Sequence, residues 1–250
     1  MKIALLGYGK MGKIIEQIAL ERKHEIVLKI TQENLYDLTL GNLQLADVAI
    51  EFSTPHTVLD NIKLCFDAGI PVVVGATGWY NHLQNVKNDC IKQNASLIYA
   101  SNFSVGVNIF FHLNKMLAKI MNRFLDYEVQ VEEIHHTQKL DAPSGTAITI
   151  AEGIIENIPV KEAWVNVVSG QVNDDSPVVI TPNQLLIESH RIEKVPGTHT
   201  VIYDSEVDSI EFKHTAHNRS GFALGAVLAA EWIKDRKGFF TAVDLFDFNA

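Results

Sequence analysis

The sequence predicts an α/β protein, a doubly wound parallel sheet carrying an inserted α+β domain of mixed sheet. Three observations carry this. Short apolar runs alternate with helical patterns through the first hundred residues, with short links between them. A glycine-rich turn separates the first run from the first helical pattern. After about residue 106 the pattern changes to longer alternating strands, and it returns to helix only near the C-terminus.

Residues 2–6 form a continuous apolar run, as a strand buried on both faces requires. A helix is expected over 11–20, a second strand over 26–30 and, beyond a polar stretch, a third over 48–52. Thr54-Pro55 opens a helix that reaches residue 68, where Gly69 closes it. Strand 71–74, helix 81–93 and strand 97–100 complete the repetition. A long helix is expected over 107–121. Strands follow at 127–134, 164–168, 178–180, 185–192, 200–204 and 209–214, with one helix over 145–157 among them. Helices over 222–234 and 241–246 close the chain and are expected to pack back on the first domain. That domain is then built from 1–106 and 219–250, and the insertion spans 107–218.

The chain has 250 residues, 47% hydrophobic and 20% charged, enough to bury a sizeable core and too apolar for a disordered state. Its net charge of −9 excludes a global attraction for nucleic acid or anionic membrane, so an anionic ligand needs a local positive cluster. Cys65 and Cys90 make neither a disulfide framework nor a zinc motif. No apolar run approaches about 18 residues, and the first is too short for a signal peptide. A soluble, cytoplasmic protein is expected.

Gly7-Tyr8-Gly9-Lys10-Met11-Gly12 is G-x-G-x-x-G between a strand and a helix. The first glycine permits the tight turn, the second admits a pyrophosphate to the backbone, and the third lets helix and sheet pack closely. The helix N-terminus supplies free N–H donors. This is the mark of a Rossmann-like dinucleotide site. An acidic residue should follow by about 20 residues to accept from the ribose hydroxyls. Glu33 follows Gly12 by 21 residues, with Asn34 and no arginine beside it, which favours NADH over NADPH, although Lys10 or Lys13 has the reach to meet the extra phosphate of NADPH. Gly75-Ala76-Thr77-Gly78 and Ser101-Asn102-Phe103 lie at later strand ends, where such folds bind ligands, and suit the nicotinamide end.

The remaining chemistry concentrates between Glu133 and Ala147. A strand ends in His135 and His136, a loop carries Lys139 and Asp141, and Pro143-Ser144-Gly145-Thr146 opens an apolar helix. Ser144 suits the N-cap, and a helix N-terminus with hydroxyls, a lysine and two histidines makes a pocket for carboxylates, as a small anionic substrate needs. Neighbouring strand residues face opposite ways, so the two histidines have different roles, one of them a general acid. A metal site formed by the paired histidines with Asp141, or with His214 and His217, lacks supporting ligand spacing, and no metal is expected.

His135-His136-Thr137-Gln138-Lys139-Leu140-Asp141-Ala142-Pro143-Ser144-Gly145-Thr146-Ala147 resembles the signature H-H-x-x-K-x-D-A-P-S-G-T-A of the dihydrodipicolinate reductase family at every fixed position. Further similar segments run in order along the chain, among them Glu51-Phe52-Ser53-Thr54-Pro55 and Gly197-Thr198-His199-Thr200-Val201. The resemblance implies reduction of 4-hydroxy-tetrahydrodipicolinate by NADH or NADPH, with loss of water, in lysine and diaminopimelate biosynthesis. It implies His135 as the acid that protonates the ring and Lys139 as second proton donor and carboxylate partner. His136, Ser144, Gly145 and Thr146 would bind substrate. Gly7 to Gly12, Glu33, Gly75 to Thr77 and Ala100 to Phe103 would hold cofactor. It further implies a homotetramer built through the sheet of the second domain and a hinge that closes the two domains. Asn34 departs from the basic residue frequent in the family, and the stretch from Asn34 to Asp47 is shorter than in longer members. The competing readings are another two-domain NAD(P) dehydrogenase and a dinucleotide sensor without turnover.

Overall fold

The computed structural model describes residues 1–169 and 179–248. These fall into two compact units, Met1–Asn108 with the chain from Arg219 onward, and Ile109–Asn218. The elements of the first hundred residues are β1 (Lys2–Leu6), α1 (Lys10–Glu21), β2 (Glu25–Ile30), α2 (Leu40–Leu43), β3 (Val48–Glu51), α3 (Val58–Ala68), β4 (Val72–Val74), α4 (Leu83–Lys92) and β5 (Ser96–Tyr99). The long helix α5 (Val105–Met121) follows, then β6 (Glu128–His135), α6 (Gly145–Ile155), β7 (Ala163–Val168), β8 (Gln184–Arg191), β9 (Thr198–Asp204) and β10 (Ser209–Thr215). The chain ends with α7 (Ser220–Ile233), β11 (Gly238–Thr241) and α8 (Ala242–Phe246).

The first unit holds a six-stranded parallel sheet in the order β11-β5-β4-β3-β1-β2. Its strands are continuous apolar runs because both faces are covered. Ala4, Leu6, Ala49, Val72, Val74 and Leu97 point into a core shared with α2, α3 and α4. Ile3, Leu5, Val48, Ile50, Val73 and Ile98 point into the opposite core, shared with α1 and α7. Burying each large aliphatic side chain contributes about 1.5–3 kcal/mol. Gly69 ends α3 in the left-handed conformation, with φ +74.

The second unit holds a mixed sheet in the order β10-β9-β6-β8-β7. β6 runs antiparallel to β9 and parallel to β8. One face buries Val129, Val131, Leu185, Ile187, Val201 and Tyr203 against α6 and the later turns of α5. Phe212 on β10 stacks on Phe110 of α5, with ring centroids 4.3 Å apart.

Several expectations are corrected. The helix expected from Thr54 begins at Val58, because the Ser53, Thr54 and Thr57 hydroxyls bond one another in a turn ahead of it. The polar stretch after β2 contains a single 3-10 turn and α2, which Thr39 caps by accepting from Asn42 N–H and Leu43 anchors in the core. β11 was not expected. It is a four-residue edge strand that takes its register from β5, far away in sequence. Of the strand expected over 178–180, Val178 lies outside the described residues, and residues 179 and 180 carry no strand. Among the described residues no helix is long and apolar enough to cross a membrane.

Candidate active site

The first unit carries a cleft of about 460 Å3, lined by Gly7, Tyr8, Gly9 and Glu33 on one side and by Phe52, Ser53, Thr57 and Asn61 on the other. Gly7 has φ +95, and a Cβ there would lie 2.4 Å from the Phe52 carbonyl oxygen. Gly12 is equally required, since its Cβ would lie 2.6 Å from the Gly7 oxygen. Gly9 differs, with nothing within 4 Å of its Cβ position. It is the N-cap of α1 and offers no side chain to the first turn. The N–H groups of Lys10, Met11 and Gly12 therefore have no helical acceptor and remain for a ligand.

The other cofactor candidates divide. The Glu33 side chain is exposed at the cleft, whereas Asn34 is spent within its own turn, accepting from Thr31 N–H at 2.7 Å. Tyr8 lines the cleft, but its hydroxyl donates to Glu16 and Lys29 sits 5.0 Å over its ring. Gly75 accommodates the Phe52 ring, which a Cβ would strike at 2.1 Å. Trp79 donates to the Ala76 carbonyl at 2.9 Å and so fixes that loop, leaving Thr77 exposed. Ala100, Asn102 and Phe103 are buried, and Asn102 accepts from Ser104 N–H at 2.8 Å to hold the start of α5. Ser101 alone of that segment is exposed.

Sequence reasoning gave no role to the buried carboxylate that Ser53 and Asn61 of this cleft bond to. Glu51 is fully buried at the end of β3. Its Oε1 accepts from Ser53 N–H at 3.1 Å, from the Ser53 hydroxyl and from Asn61 at 3.1 Å, while Oε2 has no partner. Burial pushes its pKa up despite these bonds.

In the second unit the sheet face changes character along the strands. A row of Ile187, Val131, Val201 and Phe212 is followed two residues on by Ser189, Glu133, His199 and His214 in register across four strands. His135 comes next on β6, opposite Arg191 on β8. Glu133 is fully buried. It accepts from Ser144 N–H at 3.2 and 3.1 Å, from the Ser189 hydroxyl at 2.9 Å and from Arg191 at 3.2 Å. Burial would raise its pKa, but the contacts of His135, Ser144 and Ser189 outweigh it and hold the carboxylate well below the usual range. His135 Nδ1 lies 3.3 Å from Glu133 Oε2, in ion-pair range without a hydrogen-bonding angle. His199 Nε2 lies 3.7 Å from the same oxygen. Burial, reinforced by the neighbouring His135, lowers the His199 pKa and keeps that ring neutral.

Ser144 caps α6 as expected, accepting from Ala147 N–H at 3.1 Å. Its hydroxyl also meets His199 Nε2 at 3.2 Å. The side chain is thus occupied, and the open donors of this helix end are the N–H groups of Gly145 and Thr146. His136 lies just beyond β6, with a buried Nδ1 that has no hydrogen-bond partner. Lys139 is paired with Asp141 at 2.8 Å, and the aspartate side chain is the more exposed of the two. The positive charge read from the sequence, Lys139, is therefore balanced by Asp141, and Arg191 is balanced by Glu133. Glu133, His135 and His199 offer ligand atoms within 4.8 Å of one another, a spacing that could hold a cation. The carboxylate, however, is already occupied by Arg191, Ser144 and Ser189. Glu133, Ser189 and Arg191 were not singled out from the sequence. The available signal was the alternation Val129, Val131, Glu133, His135, which puts an acid on the buried side of β6.

A dinucleotide fold with an uncapped first helix, joined to a second unit bearing a histidine–lysine loop and an open helix N-terminus, defines an NAD(P)H-dependent oxidoreductase. Two family models, described as the N-terminus and the C-terminus of dihydrodipicolinate reductase, match residues 1–103 and 106–246. A 4-hydroxy-tetrahydrodipicolinate reductase of Christiangramia forsetii is 47% identical over 245 residues, covering 98% of this chain and 97% of that protein. Its counterpart in Acinetobacter baumannii is 36% identical, covering 94% and 92%. In fold, the chain is similar to a dipicolinate-bound dihydrodipicolinate reductase from Paenisporosarcina, at 24% identity with a TM-score of 0.76 and 98% coverage of each chain. It is also similar to an amine dehydrogenase from Mycobacterium smegmatis, at 10% identity and a TM-score of 0.63, covering 98% and 95%. The chain belongs to the dihydrodipicolinate reductase family.

Proposed function

We propose that this protein reduces 4-hydroxy-tetrahydrodipicolinate to tetrahydrodipicolinate with loss of water, as a step of lysine and diaminopimelate biosynthesis. The observation that carries this reading is the open N-terminus of α6 beside His135 and Lys139, in a chain whose relatives bear that name. The first unit is the dinucleotide-binding domain, and the second binds substrate and forms the oligomer.

The cleft fits a dinucleotide. Gly9 leaves room, three first-turn N–H groups are unspent, and Glu33 lines the same cleft, which supports a ribose contact. Bound there, the cofactor supplies the hydride. The Ser101 and Thr77 segments, exposed at strand ends of the same sheet, would hold its nicotinamide end. NADH is favoured, since Glu33 repels an added phosphate and Asn34 cannot turn to offer a donor.

In the second unit, Gly145 and Thr146 N–H groups receive one substrate carboxylate, with Ser144 and His136 bordering it. Lys139 exchanges Asp141 for the other carboxylate. With water gone from the hydroxylated ring, hydride from a bound cofactor would leave an electron pair on the conjugated imine system, which an acid must quench. A proton from His135 ends that process. One hydride and one proton are thereby added.

The protein acts in the cytoplasm as a homotetramer assembled through the open face of the second sheet. Gln130, Glu132, Leu186 and His190 stand half-exposed on that face. Light scattering after gel filtration reads the assembly directly.

The test is oxidation of NADH and of NADPH, with and without substrate made in situ by its synthase. Substrate-dependent oxidation, faster with NADH, is expected. Cofactor binding without turnover would leave the sensor or another dehydrogenase.

A further inference from the structure

We propose that Glu133 is a positioning residue for His135, fixing its tautomer and joining it to the N-terminus of α6. This rests on the reading of His135 as the acid.

Three hydrogen-bond donors converge on the Glu133 carboxylate from α6 and β8, and His135 Nδ1 on β6 lies beside it in ion-pair range. Ser144, Ser189 and Arg191 would stabilise any buried anion there. The contact with His135 is different, because it reaches a group that changes charge. With Oε2 3.3 Å from Nδ1, the neutral ring keeps its remaining proton on Nδ1. Nε2 is then the atom that delivers. It faces Gly197, where a Cβ would lie 3.1 Å away, so the missing side chain keeps that position clear. In the step itself, the Nε2–H bond breaks as a bond from that hydrogen to the substrate ring forms. The imidazolium becomes neutral with Nδ1–H still facing Glu133, and solvent restores the lost proton. The carboxylate stays ionised throughout.

The other groups facing this pair do not replace it. Arg191 on β8 is spent on Glu133 and on the Asp141 carbonyl. His199 on β9 is neutral and meets Ser144. His214 on β10 is lowered by burial. Lys139 and Asp141, on the loop after β6, pair with each other. The same carboxylate that orients the acid also takes the N–H of Ser144, the residue next to the open donors Gly145 and Thr146. Acid and carboxylate site are thereby held in one frame.

Glu133→Gln and Glu133→Asp test this at saturating NADH. The glutamine variant is expected to lose about 100-fold in kcat, with substrate KM changed less than about threefold. The alkaline fall of kcat should move to lower pH, and aspartate should restore part of both effects. A glutamine variant that only melts earlier, with kcat and its pH profile unmoved, would overturn the proposal. Nitrogen-15 NMR of histidine-labelled wild type without substrate decides the matter even where a variant does not fold, with His135→Gln assigning the signal. A neutral Nδ1–H tautomer is expected, and an Nε2–H tautomer would overturn it. Absence of substrate-dependent turnover in the wild type would instead overturn the reductase reading, while the tautomer still decides the role of Glu133.

Discussion

In the first unit the donors that face the cleft are backbone groups left open, whereas in the second a buried carboxylate is already satisfied by the side chains around it. Gly9 caps α1 with nothing, and three N–H groups wait for a ligand. The Glu133 carboxylate accepts from Ser144, Ser189 and Arg191 before substrate arrives. The difference follows from what each site must do. A pyrophosphate brings its own charge and needs only room and aligned dipoles. A proton donor must be oriented before the reaction, and that takes a rigid frame of side chains.

The comparison can be broken most severely at His135. His135→Gln is expected to lower kcat about 1000-fold with little change in substrate KM; normal turnover would place the acid elsewhere. Next is Gly225→Ala on α7, where the added Cβ would lie 1.7 Å from the Phe103 carbonyl oxygen. It should cost about 3 kcal/mol in denaturant unfolding and weaken NADH binding, and an unchanged NADH Kd would detach the Phe103 segment from the cofactor site.

Acid stability sharpens the contrast between the units. His199 and Glu133 both have lowered pKa values in the folded state, so the unfolded chain binds more protons. Their contribution is complete above the unfolded values. It is lost as pH falls below about 6.5 for His199, then below about 4.3 for Glu133. Melting temperature should follow this fall, and His199→Gln should flatten its upper part. A slope unchanged by that substitution would show His199 charged in the fold. The smallest effect belongs to the open cleft. Glu33→Ala should narrow the NADH preference by about fivefold, on the order of 1 kcal/mol of ribose contact, read as the ratio of kcat/KM for the two cofactors.

The parts that could be read from the sequence were local. The alternation of apolar runs and helices, the glycine turn and the Ser144 cap depend on neighbouring residues, and the structure carries all three. What escaped depends on register. Glu133, Ser189 and His199 meet because β6 lies between β8 and β9, which no short stretch of sequence encodes. β11 escaped for the same reason, since four residues between two helices become a strand only beside β5. Asn102 shows what position in the sequence leaves open. Its position suits a ligand, yet its side chain is taken up by the start of α5.

The contact of Gly225 with Phe103 also bears on the order in which a new chain becomes functional. A ribosome releases the glycine turn first, long before α7 and β11, which cover one core and one edge of the same sheet. The inserted unit is continuous in sequence and can be complete while the first still waits for its last elements. Cofactor therefore cannot stabilise the nascent chain until synthesis is nearly finished, and a chain truncated before α7 should be left to chaperones and proteases.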